Sequence, residues 1–116
     1  MQKYSILTGL SLATLALAGC VSASNADKTV ELSVGQTRHL TAYRADSCGG
    51  TPPSFASIVN RLPKSAIVNY SDGGPSSRES KDCGRRVATR AVNATGVAPG
   101  SEVKRYQSGV VAIVVK

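Results

Sequence analysis

The sequence predicts a small all-β domain, an antiparallel β-sandwich of about seven short strands, with a small β-barrel as the alternative. Two observations predict this class. Of the 20 Leu, Ile, Val and Phe residues in 20–116, 13 are valine, and β-branched side chains favour strands over helices. These apolar residues fall in short runs separated by turns rich in Gly, Pro and Ser, which is typical of sandwiches and barrels.

The first strand is predicted at residues 29–34, because apolar and polar side chains alternate there. The alternation predicts three buried side chains, those of Val30, Leu32 and Val34. A second strand is predicted at residues 37–43 with Leu40 pointing inward, and the Gly- and Pro-rich residues 46–53 are expected to form a loop.

The middle of the chain is predicted to hold two more short strands, at residues 54–60 and 65–70. Residues 71–82 are the longest polar stretch, with two Gly, one Pro and four Ser. Because they lack an apolar pattern, they are expected to form a mobile loop.

The C-terminal third is predicted to hold three strands, at residues 85–92, 102–107 and 110–115, with a turn-rich connection over 93–101. The last two strands are expected to form a hairpin through Ser108 and Gly109. The final strand is apolar at every position, which is typical of a strand covered on both faces.

The N-terminus predicts export. Residues 1–19 begin with a short polar, basic segment and continue into an apolar run at 6–18, which is the layout of a secretory signal peptide. The run is too short for a transmembrane helix, which needs about 20 apolar residues.

The end of this run, Leu17-Ala18-Gly19-Cys20, resembles the lipobox of bacterial lipoproteins. The resemblance implies a lipid on Cys20, cleavage after Gly19 and acylation of the new N-terminus. It also implies the outer membrane, since no Asp follows the cysteine. Residues 20–28 are then expected to be a flexible tether and 29–116 the folded domain. The alternative is ordinary cleavage near residue 23, with Cys20 discarded.

Cys48 and Cys83 remain as a pair for a disulfide in an oxidising compartment. The disulfide would close the chain segment between the two cysteines and is expected to stabilise the folded domain, which has few apolar residues, by about 4 kcal/mol. A metal-binding or catalytic cysteine is the alternative, but neither residue lies in a C-x-x-C motif or near a histidine.

The segments VELSVGQTRHL, PPSFASIVNRLPKSAIV, CGRRV and GVAPGSEVKRYQSGVVAIVV are similar to bacterial immunoglobulin-like domains of exported proteins. The resemblance covers residues 29–115 and implies a sandwich fold without bringing any functional residue. The chain departs from that family in having no Trp and in retaining only Tyr106 of the aromatic residues in the closing strands.

The residues predict no enzyme, cofactor or metal site. His39 is the only histidine and has no nucleophile or orienting carboxylate near it in sequence. The seven acidic residues are scattered along the chain, whereas a metal site needs several converging ligands. The Gly pairs at 49–50 and 73–74 lack the strand-to-helix context of a phosphate loop.

Charge is the remaining feature, since residues 20–116 carry 13 Lys and Arg against seven Asp and Glu. A basic surface attracts anionic partners, here lipid headgroups, glycan phosphates or acidic proteins of the envelope; export excludes nucleic acid. The alternative is a solvated basic face that only maintains solubility. The candidate binding residues are Arg78, Lys81, Arg85, Arg86, Arg90, Lys104 and Arg105.

These observations lead to the expectation of a non-enzymatic structural or protein-interaction module, lipid-anchored in the cell envelope. Two alternatives stay open. Residues 105–112, RYQSGVVA, resemble the Ser-Gly loop of one group of lysozyme inhibitors, so an envelope inhibitor or defence protein is one. The other is an accessory component of a secretion apparatus.

Overall fold

The computed structural model describes residues 26–116, which form six strands in two three-stranded sheets. The predicted all-β, sandwich-like fold is confirmed, with six strands in place of about seven. The predicted signal peptide, Cys20 and most of the predicted tether lie outside the described residues. The elements are β1 (Lys28–Leu32), β2 (Thr37–Arg44), α1 (Phe55–Ile58) with a 3-10 turn (Val59–Arg61), β3 (Val68–Ser80), β4 (Arg85–Gly96), β5 (Gly100–Tyr106) and β6 (Gly109–Val115).

The first sheet has the order β1-β6-β5, with β6 parallel to β1 and antiparallel to β5. Its central strand β6 is the apolar strand predicted at the C-terminus, and Val111, Ile113 and Val115 are buried. The predicted hairpin is present, but its two-residue turn is Gln107 and Ser108 rather than Ser108 and Gly109.

The second sheet has the order β2-β4-β3 and is antiparallel throughout. Strands β3 and β4 form a long hairpin closed by a four-residue turn at 81–84. The turn ends at Gly84, which has a positive φ of 68° and donates its N–H to the Ser80 carbonyl at 2.9 Å. A residue without a Cβ adopts this left-handed conformation at little cost.

The hydrophobic core lies between the two sheets and beneath α1. Ile58 of α1, Leu40 of β2 and Ile113 of β6 are completely buried, and Leu40 points inward as predicted. The remaining members of the cluster are Val30, Leu32, Tyr43, Leu62, Ile67, Val68, Val92, Ala94, Tyr106, Val111 and Val115.

The prediction of a strand at 54–60 was wrong, because this segment is α1 and the 3-10 turn. Ser54 caps the helix, its hydroxyl accepting the Ser57 N–H at 3.4 Å, which is the usual role of serine at this position. Phe55 packs on the core together with Ile58, while Val59 is 43% exposed. Apolar residues three apart share one face of a helix, so the spacing of Phe55 and Ile58 is compatible with a helix as well as with a strand.

The prediction of a mobile loop at 71–82 was also wrong, because β3 continues to Ser80. Backbone pairing with β4 needs no apolar side chain, so the composition of this stretch concealed the strand. Similarly, the connection predicted at 93–101 is mostly strand, since β4 ends at Gly96 and β5 starts at Gly100.

Three predicted strand ends were also displaced, two of them on β1 and one on β3. Val34 is 51% exposed rather than buried, because β1 ends at Leu32 and the chain turns at Gly35. Lys28, assigned to the tether, is the first residue of β1, and the strand predicted at 65–70 begins only at Val68.

Candidate functional site

The disulfide between Cys48 and Cys83 is confirmed, with the two Cα atoms 5.6 Å apart. It joins the loop after β2 to the turn of the β3–β4 hairpin. The end of the hairpin is therefore covalently fixed to the body of the domain.

Arg44, the last residue of β2, reinforces this connection. Its guanidinium donates to the carbonyl oxygens of Ala45 at 2.7 Å and Asp46 at 3.2 Å, and its Nη2 lies 3.4 Å from the Asp82 carboxylate. The side chain is only 16% exposed. Because its donors are engaged in holding the loop and the turn together, Arg44 positions the site rather than offering a free cation.

Gln107, in the turn of the β5–β6 hairpin, joins the two sheets at the same end. Its Oε1 accepts the Arg44 backbone N–H at 2.7 Å, and its Nε2 donates to the Arg44 carbonyl at 3.2 Å. The side chain thus pairs with the edge of β2 as a further strand would. Beside it, the hydroxyls of Ser108 and Thr41 are 2.6 Å apart.

These contacts form the floor and walls of a groove of about 500 Å³ between the ends of the two sheets, which we call the inter-sheet groove. Asp27 lies at its edge and connects to β6, its N–H donating to the Val110 carbonyl at 2.9 Å. The residues that line the groove are Asp27, Arg44, Arg78, Glu79, Ser80, Lys81, Asp82, Gln107 and Ser108.

Arg78 is the half-buried cation of this groove. Its Nη2 donates to Gln107 Oε1 at 3.2 Å, whereas its buried Nε has no hydrogen-bond partner among residues 26–116. Burial lowers the pKa of Arg78, and the neighbouring Arg44 lowers it further; an arginine nevertheless stays protonated in proteins. A buried donor without a partner costs free energy of folding, so Arg78 occupies the groove at a cost in stability.

The structure does not bring all seven predicted basic residues together. Arg78 and Lys81 line the groove. The others are distributed over both sheets: Arg85 and Arg86 are exposed at the start of β4, Arg90 is half-buried within it, and Lys104 and Arg105 lie on β5.

Two of these basic residues form ion pairs with acidic residues of the same hairpin. Arg86 lies 3.5 Å from the Glu79 carboxylate, and both side chains are largely exposed. Arg90 contacts Asp72 at 3.4 Å. These pairs neutralise part of the charge that the sequence counts as basic, so the free positive charge is more localised than the composition indicates.

Sequence reasoning missed Arg44 and Gln107, which shape the groove. Arg44 precedes an ordinary loop and Gln107 stands in a turn, so neither has a local signal. Both residues act through contacts that are distant in sequence. Arg44 contacts Asp82, which is 38 positions away, and Gln107, which is 63 positions away.

A second depression of about 330 Å³ lies beside α1 and the start of β3. It borders a pair of tyrosines, in which the Tyr70 hydroxyl donates to the Pro63 carbonyl at 2.6 Å and lies 3.0 Å from the Tyr106 hydroxyl. Burial raises the pKa of Tyr106, and its hydrogen bond with Tyr70 raises it further. The hydroxyls therefore stay protonated and connect core segments.

Comparison of the chain with protein-family models, curated proteins and solved structures finds no match. Within residues 26–116, no helix has both the length and the apolar character required to cross a membrane. The same part of the chain brings no three His, Cys, Asp or Glu side chains together as metal ligands.

Proposed function

We propose that the protein is a lipid-anchored, non-enzymatic interaction module of the bacterial cell envelope, and that its inter-sheet groove binds an anionic group at the membrane surface. The observation that carries the proposal is the position of Asp27. This residue lines the groove, so the chain that leads back to Cys20 enters the domain at the groove itself.

The short tether limits how far the groove can move from the anchor. Six residues lie between Cys20 and Asp27, so the seven Cα-to-Cα steps span at most about 25 Å when fully extended and about 15 Å for a flexible coil. A lipid on Cys20 would therefore hold Arg78 and Lys81 within reach of phosphate headgroups. The local negative potential of such a surface attracts basic side chains.

Two features support the envelope as the compartment. The Cys48–Cys83 disulfide is of the kind that persists in oxidising compartments. The Leu17–Cys20 motif follows an apolar run of the length found in signal peptides. Together they support export followed by lipid attachment.

The turn of the β5–β6 hairpin bears on the alternative of a lysozyme-type inhibitor. A loop that plugs an enzyme cleft needs side chains free to enter it. Here the Gln107 amide is hydrogen-bonded to Arg44 through both of its polar atoms, and the Ser108 hydroxyl to Thr41. These contacts favour the interaction module over the inhibitor. A role in a secretion apparatus remains a prediction.

Replacing the proposed anchor tests the first half of the proposal. We expect the full chain to fractionate with membranes and its mature N-terminus to carry the mass of an acylated cysteine. Cys20→Ser is expected to release the protein into the soluble fraction with an unmodified N-terminus. Wild-type protein that begins downstream of residue 20, or that is equally soluble, would contradict the anchor.

Vesicle binding tests the groove. The Cys20→Ser chain is mixed with vesicles of zwitterionic lipid, with or without anionic lipid, and bound protein is measured by sedimentation. Each headgroup contact near the surface is worth about 1 kcal/mol, so Arg78→Gln and Lys81→Gln are each expected to weaken binding to anionic vesicles about fivefold.

Arg38→Gln is the matched control, because Arg38 is exposed at the opposite end of the domain, in a depression shared with Lys116. It removes the same charge without touching the groove. If Arg38→Gln and Lys81→Gln weaken binding to anionic vesicles equally, only the net charge matters. The groove would then have no role in membrane contact.

A further inference from the structure

The two sheets leave four edges, and three of them are unsuited to pairing with another chain. Strand β3 carries a bulge between Asp72 and Gly74, followed by Pro75. Strand β2 has a bulge between His39 and Thr41 and is covered at its end by the Gln107 amide. Strand β1 has only five residues. Bulges, proline, capping and shortness are the features by which proteins protect sheet edges.

Strand β5 differs from these three. It runs for seven residues in unbroken register with β6, from the Gly100–Val115 pair to the Tyr106–Gly109 pair. It contains no proline and no bulge. At its centre, Val103 is 50% exposed.

The hairpin turn determines which backbone groups of β5 remain free. Tyr106 and Gly109 flank a two-residue turn and therefore form a hydrogen-bonded pair. Since successive residues of a strand direct their N–H and C=O groups to opposite sides, the outward groups of β5 belong to Ser101, Val103 and Arg105. These outward N–H and C=O groups face away from β6, and none of them has a backbone hydrogen-bond partner elsewhere in residues 26–116.

We propose that β5 pairs antiparallel with β5 of a second copy of this chain, about a two-fold axis at Val103. The outward groups of Val103 then exchange hydrogen bonds with those of Val103 of the partner subunit, and Ser101 pairs with Arg105 of the partner subunit. Each of three facing pairs supplies two bonds, about six in all. The first sheet becomes a continuous six-stranded sheet.

The side chains of β5 are self-complementary in this register. Two-fold pairing about position 103 places Glu102 opposite Lys104 of the partner subunit, and the same contact is repeated by symmetry. Glu102 is already oriented, because its carboxylate accepts hydrogen bonds from the Ser65 hydroxyl at 2.6 Å and the Ala66 N–H at 3.1 Å. Lys104 makes no ion pair within residues 26–116.

The opposite face of β5 adds apolar contact. Val103 neighbours Ala112 across the β5–β6 pair, and Val110 and Val114 are only partly buried on the same face. In the dimer, the two Val103 side chains face each other and cover one another. Opposite charges and β-branched pairs facing across strands each favour pairing.

Charge exchange tests this pairing in the full chain purified in mild detergent. Sedimentation velocity over a concentration series is expected to give a dimer. Lys104→Glu and Glu102→Lys each replace both attractive contacts by repulsive ones, so each is expected to raise the dissociation constant at least about tenfold. An equimolar mixture of the two variants is expected to restore dimers, because each altered position then faces an opposite charge.

Lys81→Glu is the control, since it makes the same charge change away from β5. A monomer at every concentration would overturn the proposal and assign Lys104 the protective role that lysine has on exposed edges. A dimer that both β5 variants leave unchanged would also overturn it, because another surface would then be responsible.

Crosslinking provides a measurement that does not depend on charge. Val103→Cys is expected to be joined into a covalent dimer by a short bismaleimide reagent, since the two positions coincide at the axis. Val97→Cys, which replaces a valine that is 45% exposed off the strand, is expected to stay monomeric. Equal crosslinking of both variants would overturn the proposed register.

Discussion

The two halves of the β3–β4 hairpin are built by the same backbone pairing but stabilised in different ways. In the inner half, Val68 of β3 and Val92 and Ala94 of β4 belong to the hydrophobic core. In the outer half, no residue between 73 and 91 does so. That half is instead fixed by the Cys48–Cys83 disulfide and by the hydrogen bonds of Arg44 and Gln107.

The boundary between the halves is a pair of bulges on the strands that flank β4. The bulge of β2 lies opposite Val92 and Asn93, and the bulge of β3 lies opposite Ala91 and Val92. Gly73 occupies the second bulge, where a Cβ would lie 2.9 Å from that of Ala91. Bulges bend strands and increase their twist, so both neighbours of β4 change direction at one level.

The burial of β4 changes at the same level. Val87, Thr89 and Ala91 are buried in the outer half, whereas Val92 and Ala94 are buried in the inner half. Because successive side chains of a strand point to opposite faces, the two halves are covered on opposite faces. The inner half thus serves the core, and the outer half is free to carry the inter-sheet groove.

The largest expected effect comes from removing the disulfide, on which the outer half depends most. Loop-closure entropy for a separation of 35 residues gives a loss of about 4 kcal/mol for the Cys48→Ser, Cys83→Ser variant. Urea denaturation measures this loss. Hydrogen exchange is expected to accelerate more in the outer half than in the inner half. Equal acceleration in both would show that the hairpin behaves as one unit.

Truncation of a core side chain is expected to have the next largest effect. Val92, in the inner half of the hairpin, is completely buried in the cluster, so Val92→Ala is expected to cost about 2.5 kcal/mol. Val87→Ala is the matched change in the outer half, where the side chain is buried outside the cluster, and about 1 kcal/mol is expected. If urea denaturation shows that both variants lose the same free energy of unfolding, the two halves do not differ in how far they depend on the core.

The sequence pattern predicted the first sheet and β2 far better than it predicted β3. The alternation of apolar and polar side chains predicts β1 and the continuous apolar run predicts β6, whereas the turn predicted at Ser108 and Gly109 lies one residue earlier. The outer half of the hairpin has no such pattern. Its strands are held together by backbone pairing, and only one face of this half is partly buried. A covalent bond and long-range hydrogen bonds replace the apolar pattern there.

The candidate site was predictable to a similar, partial extent. The two cysteines indicated which segments meet, and the charge count selected Arg78 and Lys81. The change of buried face at Ala91 and Val92 follows from bulges on neighbouring strands, which no residue of β4 itself encodes. For this reason the basic residues of β4 could not be assigned to the groove or to solvent from their spacing.

Gln107 tests how much polar contacts contribute at the groove. Gln107→Ala leaves the Arg44 backbone groups and Arg78 without their partner, and a loss of about 1–2 kcal/mol in urea denaturation is expected. Gln107→Glu keeps the acceptor for the Arg44 N–H and for Arg78, so a smaller loss is expected. A larger loss for the glutamate variant than for the alanine variant would mean that repulsion between the new carboxylate and the Arg44 carbonyl outweighs the retained acceptor contacts.

Surface charge on the outer half is expected to contribute least. Glu79 and Arg86 are 72% and 58% exposed, and exposed ion pairs contribute little, so Glu79→Gln is expected to cost no more than about 0.5 kcal/mol. Asp72→Ala is the contrasting change at the bulge, because the Asp72 carboxylate accepts the Gly74 N–H at 2.8 Å as well as contacting Arg90, and alanine can do neither. Because a backbone bond at the bulge is involved, the loss is expected to be larger and to persist at high salt, which screens only the exposed pair. Equal losses for both variants, measured by urea denaturation at low and high salt, would show that the bulge draws no more stability from its carboxylate than the exposed surface does.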